Sequence, residues 1–393
     1  MNALSRISSD IDLFTDDALH DPYPLYAELR NLGPAAYLRT YDLYYLGRYE
    51  QVRKALMDWQ TFSSAQGAGL NPVINKQWEH ALICVDPPMH GGTRKLFTER
   101  LGPRHLQHVQ DTIHQRADEL ARSLQQREQF DGVRDVAHDL PVNVIFDLIG
   151  WPEEARGELA ALAAGCFDAC GPDSLRMRAA LPRLEAMRAF VADTYDRDRL
   201  TPGGFGSTVA AAGKRGEIPR EAAIGLMEGY VIAAFDTTIN AISNGLWQFA
   251  QHPEQWERLR QDPGKASAAF QEIVRIDSPL QHLSRVTTRQ VDLGEGVVLP
   301  AGARVIVSYA SANRDERHYP EPDRFDIERN PVDHLGFGLA THNCAGQALA
   351  KLEGMATFAA LARYIDHFTL TGPVQRIPNS ITRGLSHLPM RAH

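Results

Sequence analysis

The feature that most limits how this chain can fold is the apolar-rich stretch from Pro219 to Gln251. At about 1.5 Å per residue, a helix of that length crosses an entire globular protein. Other elements must then be arranged around it. Its apolar part, Ile224 to Ala250, is interrupted by Glu228, Asp236 and Asn240, groups that are costly to bury unless they have partners or a purpose. No run of about eighteen purely apolar residues occurs, so nothing is expected to span a bilayer. The N-terminus, Met1 to Leu13, is polar and charged throughout and lacks the apolar segment of a signal peptide or anchor. A soluble, cytoplasmic protein is expected.

Helical signals dominate elsewhere: Pro22 to Leu32, Thr93 to Glu99, Leu106 to Gln125, Val142 to Leu148, Pro182 to Thr194, Lys265 to Ile276 and Gln347 to Tyr364. Short β signals stand at Ala36 to Leu46, Val291 to Leu299 and Ala303 to Ser308. Ser63 to Trp78 and Asn313 to Thr341 are expected to be long irregular stretches, which in compact chains often carry function. The expected class is mainly α with a smaller β region. No Ser/Gly tract, charge block or repeat divides the 393 residues, so a single domain over 1–393 is expected. A hydrophobic content of 44% supplies a large core, and a net charge of -8 argues against a nucleic-acid binder.

Four cysteines, Cys84, Cys166, Cys170 and Cys344, could frame a small secreted domain with disulfides, but this chain is long and no signal peptide is expected. Cys166 and Cys170 lie four apart without a second Cys/His pair nearby, which favours buried thiols in a pocket wall over a metal pair. Cys344 differs. It sits in Phe337-Gly338-Leu339-Ala340-Thr341-His342-Asn343-Cys344-Ala345-Gly346, just ahead of the Gln347 helix. A thiolate there gains from the helix dipole and free backbone N–H groups, which is expected to lower its pKa. The glycines let the backbone pass close to a flat cofactor, and His334 and His342 can reach a cofactor's carboxylates.

That run resembles the haem-binding loop of the cytochrome P450 family, Phe-Gly-x-Gly-x-His-x-Cys-x-Gly, with Ala340 where the family usually has Gly. Three further segments fit the same resemblance in the family's order, which spans roughly Asp21 to Pro389. Glu272-Ile273-Val274-Arg275 looks like the family's structural Glu-x-x-Arg, with Arg324 expected as the third member. His90 and Arg94, four apart after Asp86-Pro87-Pro88, point two cationic donors to one side. The resemblance makes them propionate partners together with Arg285 and His342. Ala233-Ala234-Phe235-Asp236-Thr237-Thr238 is similar to the family's oxygen-groove segment, again with Ala234 where Gly is usual. Threonine there can bond back to a carbonyl four residues earlier. The resemblance implies that Thr237 hydrogen-bonds dioxygen and Asp236 relays protons.

The resemblance therefore implies the cytochrome P450 fold, with haem b held by Cys344 and lined by His90, Arg94, Ala233, Arg285, His334, Phe337, His342 and Gly346. It implies a monooxygenase using O2 and two electrons from a ferredoxin and an NAD(P)H-dependent ferredoxin reductase, with no fused reductase. Lys95, Arg100, Arg104 and Lys351 are candidate ferredoxin contacts. In look the chain is closest to soluble bacterial members that oxidise or O-demethylate small para-substituted aromatic compounds. Such enzymes hold a carboxylate with an Arg and serines. Here Gln66, Asn71, Glu228, Gly229 and Ile232 fall at those positions and none is cationic, while Glu228 facing the cavity would repel an acid. A neutral methoxyphenol is therefore expected, with Phe167, Cys170, Ile232, Ala233, Leu280, Leu283, Ile381 and Thr382 as candidate wall. The alternatives are a para-substituted benzoate, a terpenoid or other biosynthetic intermediate, and, in another class, a haem protein that does not activate oxygen.

Overall fold

The structure, a computed structural model, describes residues 7–98 and 101–393. The long helix runs over Arg220–Gln251 behind Pro219, whose fixed φ suits a helix start. It ends at His252, beside Pro253, which opens the next helix. Among the described residues it alone is long and apolar enough to cross a membrane, yet 61% of its most apolar window is buried inside the protein. It is a core helix. Around it pack Asp139–Ile149, Leu175–Asp196, Ala266–Ile276 and Gln347–Tyr364. Gly245 permits two of these approaches: a Cβ there would lie 2.5 Å from Phe358 and 2.6 Å from Ile273.

The β region of the described residues is divided among four sheets. Its main sheet has six strands in the order Ser8–Ser9, Ala36–Leu38, Leu43–Leu46, Arg304–Ser308, His282–Thr287 and Phe62–Ser63. Ala36 to Leu46 is thus a hairpin of two strands turned at Asp42, which takes a positive φ of 52°. Val291 to Leu299 is a second, with strands of two residues each. Strand His282–Thr287 was not apparent in the sequence, because Ser284 and Arg285 break its apolar run. It is nonetheless buried along its whole length.

Other boundaries moved for local reasons. The Leu175–Asp196 helix starts seven residues before Pro182, since the Ser174 hydroxyl accepts the Met177 N–H and caps it; the proline lies inside. The expected Thr93 helix runs over Met89–Thr98, with Glu99 outside the described residues. Ser63 to Trp78 is not wholly irregular, because Asn71 caps a short helix over Pro72–Gln77.

Candidate functional site

Cys344 stands at the end of the irregular loop, one turn ahead of the Gln347–Tyr364 helix. Its N–H donates to the Phe337 carbonyl at 2.7 Å, which closes the loop on itself. Gly338 turns the chain at a φ of 66°. Ala340 also sits in the left-handed region, at 56°, a conformation that charges any side chain about 1–2 kcal/mol relative to glycine. That is why glycine is the natural occupant there. The Cys344 sulfur is deep in the protein yet open to a large internal cavity. Burial pushes its thiol up, opposed by the Gly346 N–H, the Arg94 guanidinium and the Gln347 N–H. The expected lowering of its pKa is thus present as a contribution but outweighed by burial.

His90, Arg94, Arg285 and His342 line the same cavity as Cys344, as do Phe337, Gly346 and Ala233. The His90 and His342 rings meet edge to face at 4.6 Å. His342 Nε2 lies 3.2 Å from an Asp86 carboxylate oxygen, and Arg94 pairs with the Asn343 side chain. His90 is buried and its Nε2 has no hydrogen-bond partner; burial lowers its pKa to about 4. A thiol aimed at a cavity, three further donors and one orphaned imidazole nitrogen fit a flat group carrying a metal and two carboxylates.

His334 does not join them. It is buried behind the loop, where its Nδ1 accepts the Gly336 N–H at 3.0 Å and its Nε2 meets Gln271 Oε1 at 3.1 Å. With both nitrogens occupied by protein, its role is to fix the loop and not to hold a cofactor.

The long helix forms the facing wall through Ala233, Ala234, Thr237 and Thr238. Thr237 Oγ1 donates back to the Ala233 carbonyl at 2.7 Å, the local bond its position invites. Asp236 is off the cavity wall. Its carboxylate accepts the Gly165 N–H, and burial raises its pKa to about 7. The helix thus places the alcohol toward the cavity and the acid toward the Gly165 turn.

Glu272 and Arg275 form a fully buried bidentate pair. The third member is Arg329, whose Nε lies 3.5 Å from Glu272. The expected Arg324 contributes only its backbone carbonyl to Arg275, at 3.2 Å. Its side chain is half exposed and pairs with Glu321 and Asp326. Arg329, five residues beyond the expected Arg324, takes that place.

Of the expected substrate contacts, Phe167, Ile232, Leu280 and Leu283 line the cavity. Gln66, Asn71, Cys170, Ile381 and Thr382 do not. Gln66 is exposed, and its carbonyl serves Arg304. The Asn71 amide holds the Ala169 and Gly171 carbonyls. Cys170 is buried, with its thiol pushed well up by burial. Ile381 and Thr382 lie in the backbone join between residues 280–281 and 381–382. Trp78, Leu82, Ile83, Arg188 and Glu221 also line the cavity. They were missed because no local pattern separates a helix or loop residue that faces a cavity from one that faces the core. Lys351 lies over the Phe337 ring at 5.5 Å; Arg100 and the Arg104 side chain lie outside the described residues.

Comparison with known proteins agrees with this geometry. The family profile described as Cytochrome P450 matches residues 210–391. The chain is 37% identical to "Cytochrome p450 CYP199A2" of Rhodopseudomonas palustris over 97% of its length and 93% of the relative's. It is 30% identical to the "Vitamin D(3) 25-hydroxylase" of Pseudonocardia autotrophica, over 96% of each. Its fold matches the crystal structure of P450BioI in complex with a hexadec-9Z-enoic acid ligated acyl carrier protein, at a TM-score of 0.87 and 26% identity, covering 96% of this chain and 99% of that one. The chain belongs to the cytochrome P450 family and is a monooxygenase, with haem as its cofactor and dioxygen as its co-substrate.

Proposed function

We propose that this monooxygenase hydroxylates or O-demethylates a small neutral aromatic compound, with a methoxyphenol such as guaiacol as the preferred class. The observation that carries this is the pairing of Arg188. Of the guanidiniums on the cavity wall it is the one placed with the early turns of the long helix, and both Glu221 and Glu228 hold it. A ligand carboxylate finds no free cation there. The wall between is apolar, with Phe167, Ile232, Leu280 and Leu283.

In this reading Cys344 would be the thiolate ligand, Arg94 and Arg285 would supply positive charge to the two propionates, and His90 and His342 would donate hydrogen bonds to them. Haem, when bound, supplies reduction of dioxygen and the oxidation of a substrate C–H bond; hydroxylation of an O-methyl group yields a phenol and formaldehyde. Thr237 positions its hydroxyl at the cavity wall, and Asp236 holds a proton on its carboxyl near neutral pH for delivery through Thr237. Residues 1–393 act as one catalytic domain in the cytoplasm, taking electrons from a separate ferredoxin and its reductase. Lys95 and Lys351 are contacts on the docking face.

Titration of the haem-loaded protein with guaiacols and benzoates tests the substrate reading. A high-spin Soret shift with guaiacol is expected, and a strong shift with 4-methoxybenzoate alone overturns it. One observation favours a second reading. The cavity follows the long helix from Glu221 to Ala241, about 30 Å of helix, long enough for a terpenoid or macrolide scaffold. Silence toward every small arene, with a shift on such a scaffold, selects it.

A further inference from the structure

The cavity carries guanidiniums at two separate places. Arg94 and Arg285 share its wall with Cys344, whereas Arg188 projects from the Leu175–Asp196 helix toward the first turns of the long helix. The guanidinium of Arg188 divides between two acids. Nη1 donates to Glu228 Oε2 at 3.0 Å, and Nη2 donates to Glu221 Oε2 at 2.6 Å. Glu221 and Glu228 are seven residues apart, two turns of one helix, and so lie on one face. The cluster runs inward from solvent: the Glu221 side chain is 49% exposed, Arg188 28% and Glu228 2%. Glu228 Oε1 is buried; burial pushes this carboxyl up, opposed by the Arg188 guanidinium and the Trp78 indole, which favour its charged form. From Glu228 to Thr237 the helix rises about 13 Å, enough for one substituted aromatic ring between the charged cluster and the reacting end.

A free guanidinium in an apolar cavity captures a carboxylate bidentately. The charge of one already shared by two carboxylates is offset by them, and a third anion beside them would meet like charge in a low-dielectric wall. We infer that Glu228 and Glu221 determine the charge class of the substrate, by occupying Arg188 and so denying it to aromatic acids. They are specificity-determining residues and not catalytic ones. The inference deepens the neutral-arene reading and rests on it.

The test compares haem-loaded wild type, Glu228→Gln, Glu221→Gln and the double variant Glu228→Gln/Arg188→Met. Affinities for 4-methoxybenzoate and guaiacol are measured by calorimetry and by the Soret shift. Glu228→Gln is expected to tighten 4-methoxybenzoate by about tenfold or more, the scale on which a desolvated charge pair discriminates. Guaiacol affinity should stay within about twofold. Adding Arg188→Met should abolish the gain. Glu221→Gln, at a half-exposed position that leaves packing intact, should show a smaller gain and carries the test alone should the buried variant fail to fold. Unchanged benzoate affinity in the folded variants, or a gain that survives removal of Arg188, overturns the inference. A wild type that itself prefers the benzoate refutes the neutral-arene reading directly. A wild type that prefers guaiacol while Glu228→Gln and Glu221→Gln change nothing refutes only the charge selection.

Discussion

Glu272 and Arg275 close two parallel hydrogen bonds, at 2.7 and 2.8 Å, with neither side chain exposed at all. Arg275 also donates to the carbonyls of Asn313, Pro322 and Arg324, and Glu272 accepts the Asp326 N–H. The pair thereby ties the Ala266–Ile276 helix to the irregular stretch that ends in Cys344. Breaking a buried pair leaves one group desolvated and unpaired, so Arg275→Met or Glu272→Leu should destabilise the protein by about 3–5 kcal/mol in urea unfolding. Arg324→Ala, at an exposed side chain, should stay within about 0.5 kcal/mol, and Arg329→Ala should fall between. Equal effects at Arg324 and Arg329 would contradict the assignment of the third member.

Ala340 holds a left-handed φ of 56° in the loop over Cys344. Ala340→Gly removes that strain but gives the unfolded chain more freedom, for a net stabilisation of up to about 1 kcal/mol. Thermal unfolding of the holo-protein is the measurement; a loss of stability would show that the methyl group makes a compensating contact.

Asp236 has its carboxyl raised to about 7 by burial, against the Gly165 N–H that favours its charged form. NADH-driven turnover with ferredoxin and reductase should therefore inflect near pH 7. Asp236→Asn should remove that inflection and slow turnover by about a hundredfold, the lower range for lost proton transfer. An inflection that persists in the variant would assign the titration elsewhere.

His282 is buried with neither ring nitrogen bonded, and burial lowers its pKa to about 4 from 6.5. A base whose pKa is depressed by folding contributes nothing adverse above pH 6.5. As pH falls from 6.5 toward 4 the unfolded state takes up the proton first, and stability drops by about 1.4 kcal/mol per unit. His282→Met should recover about 2 kcal/mol at pH 5 relative to wild type, with urea unfolding at pH 5 and 7.5 as the check. An unchanged difference between the two pH values would contradict the burial effect.

What the sequence made legible was what local chemistry specifies. Cys344, His342 and Phe337 share one short loop, His90 and Arg94 one helical turn, and Asp236 and Thr237 adjacent positions, so short motifs carried the family resemblance that grouped them. The long helix declared itself by length and apolarity. Contacts joining distant segments were hidden. Nothing local distinguishes Arg329 from Arg324 as the partner of Glu272, or shows that Gln271 and the Gly336 N–H already satisfy His334. Arg188 met Glu228 only through the packing of two helices forty residues apart in the chain. The substrate wall was least legible, because Asn71, Cys170 and Ile381 are as buried as the true lining but face the protein.

Ligation of haem iron by the Cys344 thiolate is read from the reduced carbon-monoxide difference spectrum of the haem-loaded protein. A Soret band at the position diagnostic of thiolate ligation, lost in Cys344→Ala while circular dichroism stays native, is the predicted result. A band at the position of a histidine-ligated haem, or no band in the folded wild type, would contradict it.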